Sequence, residues 1–201
     1  MRAIVLTTIG ALALLWGCAT TNLPERGLAL RPGVDLRGKD LSNQQIEGVR
    51  LREARLSFAR LNGSRMSAAD LRSASLYRVE AREARFRSAD LRSVRAFGAD
   101  LRGADLQGAD LRQADLRYAD LRRAQLNGAD LRGALLLGAD LRRAQLNGAD
   151  LRGAIFDAYT RFPREFDPWS AGMAYWRTDE AMPFYVRTVD RSRNLTRGVL
   201  Y

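Results

Sequence analysis

Residues 119–154 read ADLRRAQLNGADLRGALLLGADLRRAQLNGADLRGA. The stretch from Ala119 to Ala134 returns unchanged as Ala139 to Ala154, twenty residues later. Within it a shorter beat, A-D-L-R-x, recurs every five residues. One structure has to satisfy both periods.

The shorter period extends far beyond this block. Steps of five from Leu36 reach an apolar residue at 25 consecutive positions, ending at Phe156, without an insertion. Two residues before each frame position from Leu51 onward stands a small residue, usually alanine. The remaining three places are mostly Asp, Arg, Gly, Ser, Gln or Asn. A helix is excluded, because five residues advance it by ~500° and would scatter the leucines round every side. In extended chain, residues two apart share a face, so the small residue and the leucine point inward together. The fifth place, often glycine, turns the corner. Four such sides close a coil of twenty residues, the period of the duplicated block. Coils stacked at the ~4.8 Å strand spacing bury leucines that no pentad buries alone, and six coils make a rod about 29 Å tall.

The A-D-L-R-x pattern over residues 34–158 resembles the pentapeptide-repeat family. That resemblance implies an all-β solenoid, a right-handed quadrilateral β-helix of about six coils. After Phe156 the rhythm stops and aromatics accumulate. An open solenoid end exposes its leucines, so residues 159–201 are expected to hold a cap, with Phe162, Phe166, Trp169, Pro163 and Pro168 as its plug. The run Thr160-Arg161-Phe162-Pro163 to Phe166-Asp167-Pro168 is similar to C-terminal tails of this family.

The chain opens MRAIVLTTIGALALLWGC. Its apolar run from Ala3 to Gly17 is too short to span a bilayer, which needs about 20 residues, and fits an export signal. Leu15-Trp16-Gly17-Cys18 resembles the lipobox of bacterial lipoproteins. The resemblance implies cleavage of residues 1–17 and acylation of Cys18. Residues 18–33 would then be a lipidated tether on the outer membrane, facing the periplasm of a Gram-negative bacterium. Acyl chains also account for a lone cysteine in an oxidising compartment.

Composition narrows function by exclusion. The 201 residues include no histidine and one cysteine. Histidine-based triads, Cys/His metal sites and disulfide frameworks are therefore out, and no catalytic residue, metal or cofactor is expected. The carboxylates recur with the repeat instead of converging on a cleft. The formal net charge of +10 comes almost wholly from arginine and suits an anionic membrane, an acidic partner or nucleic acid. Some members of the family are similar in shape to DNA and shield a type II topoisomerase. That role calls for an acidic cytoplasmic surface, so no nucleic-acid-related role is expected of this basic chain.

Sorting outward residues by side, with a period of twenty, separates three kinds of surface. One side carries Asp70, Asp90, Asp110, Asp130 and Asp150 beside Arg72, Arg92, Arg112, Arg132 and Arg152, a solvated lattice of opposite charges. A second ends in Gln125, Asn127, Gln145 and Asn147 and predicts amide ladders. The side of Leu36, Leu56, Leu76, Ala96, Leu116 and Leu136 gathers Phe58, Tyr77, Phe97 and Tyr118, extended by Leu135 and Leu137. Two readings of this stripe stand: the C-terminal tail folds back over it, or it docks another protein or a second copy of the chain. Along the axis, residues 45–98 hold 12 arginines against 6 acids, whereas residues 99–158 hold 9 of each. Arg50, Arg52, Arg55, Arg60 and Arg65 thus suggest a basic patch near the anchor, suited to anionic lipid or cell-wall polymer. Inside, Ala81 and Ala96 are undersized and Phe86 between them is oversized, so its ring is expected to fill both gaps.

Overall fold

The computed structural model describes residues 30–177; the expected export signal, Cys18 and residues 178–201 lie outside the described residues. Each five-residue side is built round a tight turn. In a typical one, the Ala54 N–H donates to the Leu51 carbonyl at 3.0 Å, and Glu53 adopts φ +59°. A hydrogen bond closing four residues, with positive φ at the third, is a type II turn, and it supplies the corner. The same positive φ recurs every five residues from Gly33 to Gly153, at 12 glycines and 13 other residues. Glycine takes this conformation freely, while each L side chain there gives up about 1 kcal/mol. The corners are therefore strained at about half of their positions, and stacking has to outweigh that strain.

Stacking is regular. Residues pair in parallel with partners twenty further on, from Asp35↔Arg55 to Leu135↔Ile155. The Leu51 N–H donates to the Asp70 carbonyl at 2.8 Å, and the Asp70 N–H donates back to Val49 at 2.9 Å. Twenty residues per coil, read from the duplicated block, is what the chain adopts. The pairing differs from ordinary sheet in one respect. Only single residues bridge, because two of every five are spent on the turn. The two strands among the described residues, β1 (Ile155–Phe156) and β2 (Ala174–Tyr175), pair in parallel at the distal end.

The interior is a column of frame residues and small residues, nearly all fully buried. Phe86 is buried, and together with Ala96 it lines a residual apolar cavity of only about 10 Å³. At the distal end the register slips by one, since Asp140 pairs with Arg161. Asp157 absorbs the slip: its buried Oδ1 accepts the Gly138 N–H at 2.9 Å and the Thr160 N–H at 2.9 Å. A side chain thus replaces the carbonyl that a further regular coil would offer. Beyond it, Phe162, Phe166, Ala171 and Met173 pack on the last coil, and Phe156 meets Phe162, Trp169 and Tyr175 edge-on at 5.3–5.5 Å.

Candidate functional site

The stacked columns bring Phe58, Tyr77, Phe97 and Tyr118 together. Their ring centroids follow one another at 5.3, 5.7 and 5.2 Å, one ring per coil. Tyr77 and Phe97 lie nearly parallel, and the outer two rings are tilted against them. The guanidiniums of Arg78 and Arg117 sit 5.7 and 5.6 Å from the Tyr77 and Phe97 ring centres, so cations flank the apolar stripe. Phe58 is 57% exposed and Tyr118 58%, and both occupy left-handed corners. Bulky aromatics at such corners are strained and stand out into solvent, which is unfavourable twice over.

Leu135 and Leu137 behave differently from the rings. Leu137 is buried against Ile155 and Trp176, and Leu135 is half-buried beside them. The chain after β2 brings Trp176 onto the distal end of this side, so Leu137 belongs to a small satellite core and not to the free stripe. Tail cover therefore operates at Leu137, while Phe58 and Tyr118 stay open among the described residues.

The proximal arginines do not converge. Arg50, Arg55, Arg60 and Arg65 hold the same place on four successive sides, so they encircle the coil. Arg60 lies 3.0 Å from Asp40, Arg55 lies 4.0 Å from Asp35, and Arg52 meets Glu53 at 3.3 Å. Composition along the axis conceals this, because a fivefold step always moves to the next side.

Two charged lattices stiffen the rod. In the first, Arg72 makes a bidentate pair with Asp70 at 2.8 and 2.6 Å and leans towards Asp90 of the next coil at 3.4 Å. The unit repeats up to Arg132, Asp130 and Asp150. These guanidiniums hold the carboxyls of Asp70, Asp90, Asp130 and Asp150 below their ordinary range, Asp150 at about 2. The second runs through Arg82, Asp100, Arg102, Asp120 and Arg122 on the Leu41 side. Burial pushes the Asp100 carboxyl up, but Arg102 and Arg82 more than offset this and hold it at about 2. The amide ladders are present as well, with Asn127 Nδ2 donating to Gln145 Oε1 at 3.0 Å and Gln107 donating to Gln125 at 2.6 Å.

One surface escapes a reading along the axis. An open groove of about 960 Å³ runs up the distal half of the Leu41 side, lined by Arg122, Arg123, Arg142, Arg143, Phe162 and Arg164 among others. The repeated L-R-R-A of residues 121–124 and 141–144 is its trace in the sequence, visible once charges are sorted by column. No helix among the described residues is long and apolar enough to cross a membrane.

The five-residue repeat also matches a known family. The family model for pentapeptide repeats matches in 8 copies, over residues 50–87, 97–133 and 119–157. Similar solved structures include the pentapeptide repeat protein alr5209 from Nostoc Pcc 7120, 42% identical over 53% of this chain and 84% of that one, with a TM-score of 0.38. HetL, involved in heterocyst differentiation regulation in Nostoc sp. strain PCC 7120, is 22% identical over 72% of this chain and 84% of its own, with a TM-score of 0.45. Trypsin-treated QnrB1, a plasmid-mediated fluoroquinolone resistance protein, is 22% identical over 64% and 81%, with a TM-score of 0.28. No curated protein matches the chain.

Proposed function

Because the chain belongs to the pentapeptide repeat family, we propose that it is a non-enzymatic scaffold that docks a protein partner on its aromatic ladder. The observation that carries this reading is the ladder itself: four rings in contact over four coils, with both ends more than half exposed. Rings held on a rigid rod lose little entropy on binding, and aromatics flanked by arginine are the residue types that dominate interface energies. Acylation of Cys18 would hold the proximal end at a membrane and leave the ladder facing outward.

The test uses the full chain in its native membranes. Wild type and a Phe97→Ser/Tyr118→Ser variant are crosslinked and sedimented, and a Cys18→Ser variant is fractionated beside them. The ladder variant keeps its thermal melt and loses the crosslinked species, while Cys18→Ser moves to the soluble fraction. An apolar interface also survives raised salt, which dissolves a purely electrostatic one. Loss of the melt without any association in wild type overturns the docking role. Identical fractionation of wild type and Cys18→Ser overturns the anchor.

A further inference from the structure

We propose that the distal corner of the Leu41 side is a binding site for a phosphomonoester dianion, a role separate from the aromatic ladder. The inner column of this side is already neutralised: Arg122 pairs with Asp120 and Arg142 with Asp140, each at 2.6 Å. The outer column carries one acid, Glu83, which lines the groove two coils before Arg123. Arg123 and Arg143 face the same groove one coil apart, a rise of ~4.8 Å, and neither guanidinium has an acidic partner among the described residues. Arg164 enters the groove from the cap, again without an acidic partner among those residues.

This arrangement is costly to the fold in two ways. Arg123 and Arg143 occupy left-handed corners at φ +60° and +63°, where Gly63 and Gly103 serve other coils of the same column. Like charges stacked on adjacent rungs also repel. A backbone donor adds to the corner. The Gly103 N–H donates to the Arg122 carbonyl at 2.9 Å and the Arg123 N–H to the Arg142 carbonyl at 3.2 Å. The register slip at the cap leaves the Arg143 N–H with no such acceptor among the described residues.

The chemistry of the acceptor follows from these donors. A carboxylate has two oxygens in one plane and takes one guanidinium fork along that plane, as Asp120 takes Arg122 and Asp140 takes Arg142, with a second guanidinium only at its edge at 3.5–3.9 Å. Three guanidinium forks lining one groove, with an N–H beside them, are better matched by an acceptor with three outward oxygens and a double negative charge than by a planar carboxylate. A phosphomonoester supplies both, and arginine is the side chain suited to it. Phe162 lines the same groove and offers an apolar edge to whatever carries the phosphate.

The experiment is a calorimetric titration of the full chain with inorganic phosphate at pH 5.5 and pH 8. With no histidine side chain to titrate, tightening with pH reports loss of the ligand's second proton, whose pKa lies near ~6–7. Arg123→Gly/Arg143→Gly places glycine where the corner favours it, so the melt holds or rises, while phosphate affinity falls at least about tenfold. Arg78→Gly, the same corner on the ladder side, leaves affinity unchanged. Vesicles of phosphatidic acid and of phosphatidylglycerol identify the carrier: capture by phosphatidic acid alone, lost in the double glycine variant, supports a lipid-borne phosphomonoester. The proposal is overturned if wild type binds neither phosphate nor phosphatidic acid vesicles, or if it binds polyglutamate instead. Equal loss in Arg78→Gly, or undiminished binding by the double variant, overturns it too.

Discussion

Tyr118 lies across Gly138 of the next coil so closely that a methyl group on Gly138 would stand 2.6 Å from the ring's Cδ1. The distal ring of the ladder is thus held against bare backbone, at a corner with φ +66° that itself favours glycine. Gly138→Ala is expected to cost about 1–2 kcal/mol from the left-handed corner alone, and to lift Tyr118 off its seat. Denaturant melts measure the first effect. Tyr118 fluorescence polarisation or an altered Phe97–Tyr118 contact measures the second. A variant as stable as wild type with the ring unmoved contradicts the account.

Much of this was legible before any coordinates. A twenty-residue period places residue i beneath residue i+20, so rings 19, 20 and 21 residues apart from Phe58 to Tyr118, the Asp70–Arg72 lattice, and Asn127 with Gln145, 18 residues apart, fall in the same or adjoining columns of one side and are neighbours by counting. The left-handed corner was foreshadowed by the glycine-rich fifth place. Leu137 was not legible: its cover, Trp176, stands beyond Phe156, where no period fixes which residue lies over which. The distal groove was missed for another reason. Nine arginines balance nine acids over residues 99–158, and only column-by-column sorting shows that on the Leu41 side Asp120 and Asp140 pair with Arg122 and Arg142, while Arg123 and Arg143 have no acidic partner among the described residues.

Acid should loosen the rod in a defined window. The carboxyls of Asp70, Asp90, Asp130 and Asp140 are held below the ordinary 3.8, and those of Asp100 and Asp150 lie at about 2. A carboxyl whose pKa is depressed by folding stabilises the fold above its unfolded value, and the gain is lost as pH falls through the folded value. Stability is therefore flat from neutral pH to just above 4 and declines between about 4 and 2. Urea melts at pH 7, 4.5, 3 and 2 check this. Raised salt should shrink the difference, because the paired groups are still partly exposed.

Among the described residues Ser64 is the one serine at a buried inward-facing small-residue position, fully enclosed, and its hydroxyl has no hydrogen-bond partner there. Alanine fills the equivalent place in most coils. Ser64→Ala removes an unsatisfied polar group without creating a cavity, so it is expected to raise stability by about 1 kcal/mol. A lower urea midpoint in the variant would contradict this account of the hydroxyl as an unsatisfied group.

Phe86 and Ala96 share one volume. They come from opposite sides of the coil and line the same residual cavity of about 10 Å³. Phe86→Ala should cost roughly 3–5 kcal/mol, as large core truncations do. Ala96→Leu alone should cost about 1–3 kcal/mol, because so small a cavity cannot take the added carbons. The two changes together are predicted to be far less damaging than their sum, since the new leucine enters the space the ring vacated. A double-mutant cycle by urea denaturation gives the coupling directly, and residues sharing a cavity typically couple by about 0.5–3 kcal/mol. Strict additivity would show that the ring and Ala96 do not compensate, and that the small frame residues are tolerated for some other reason.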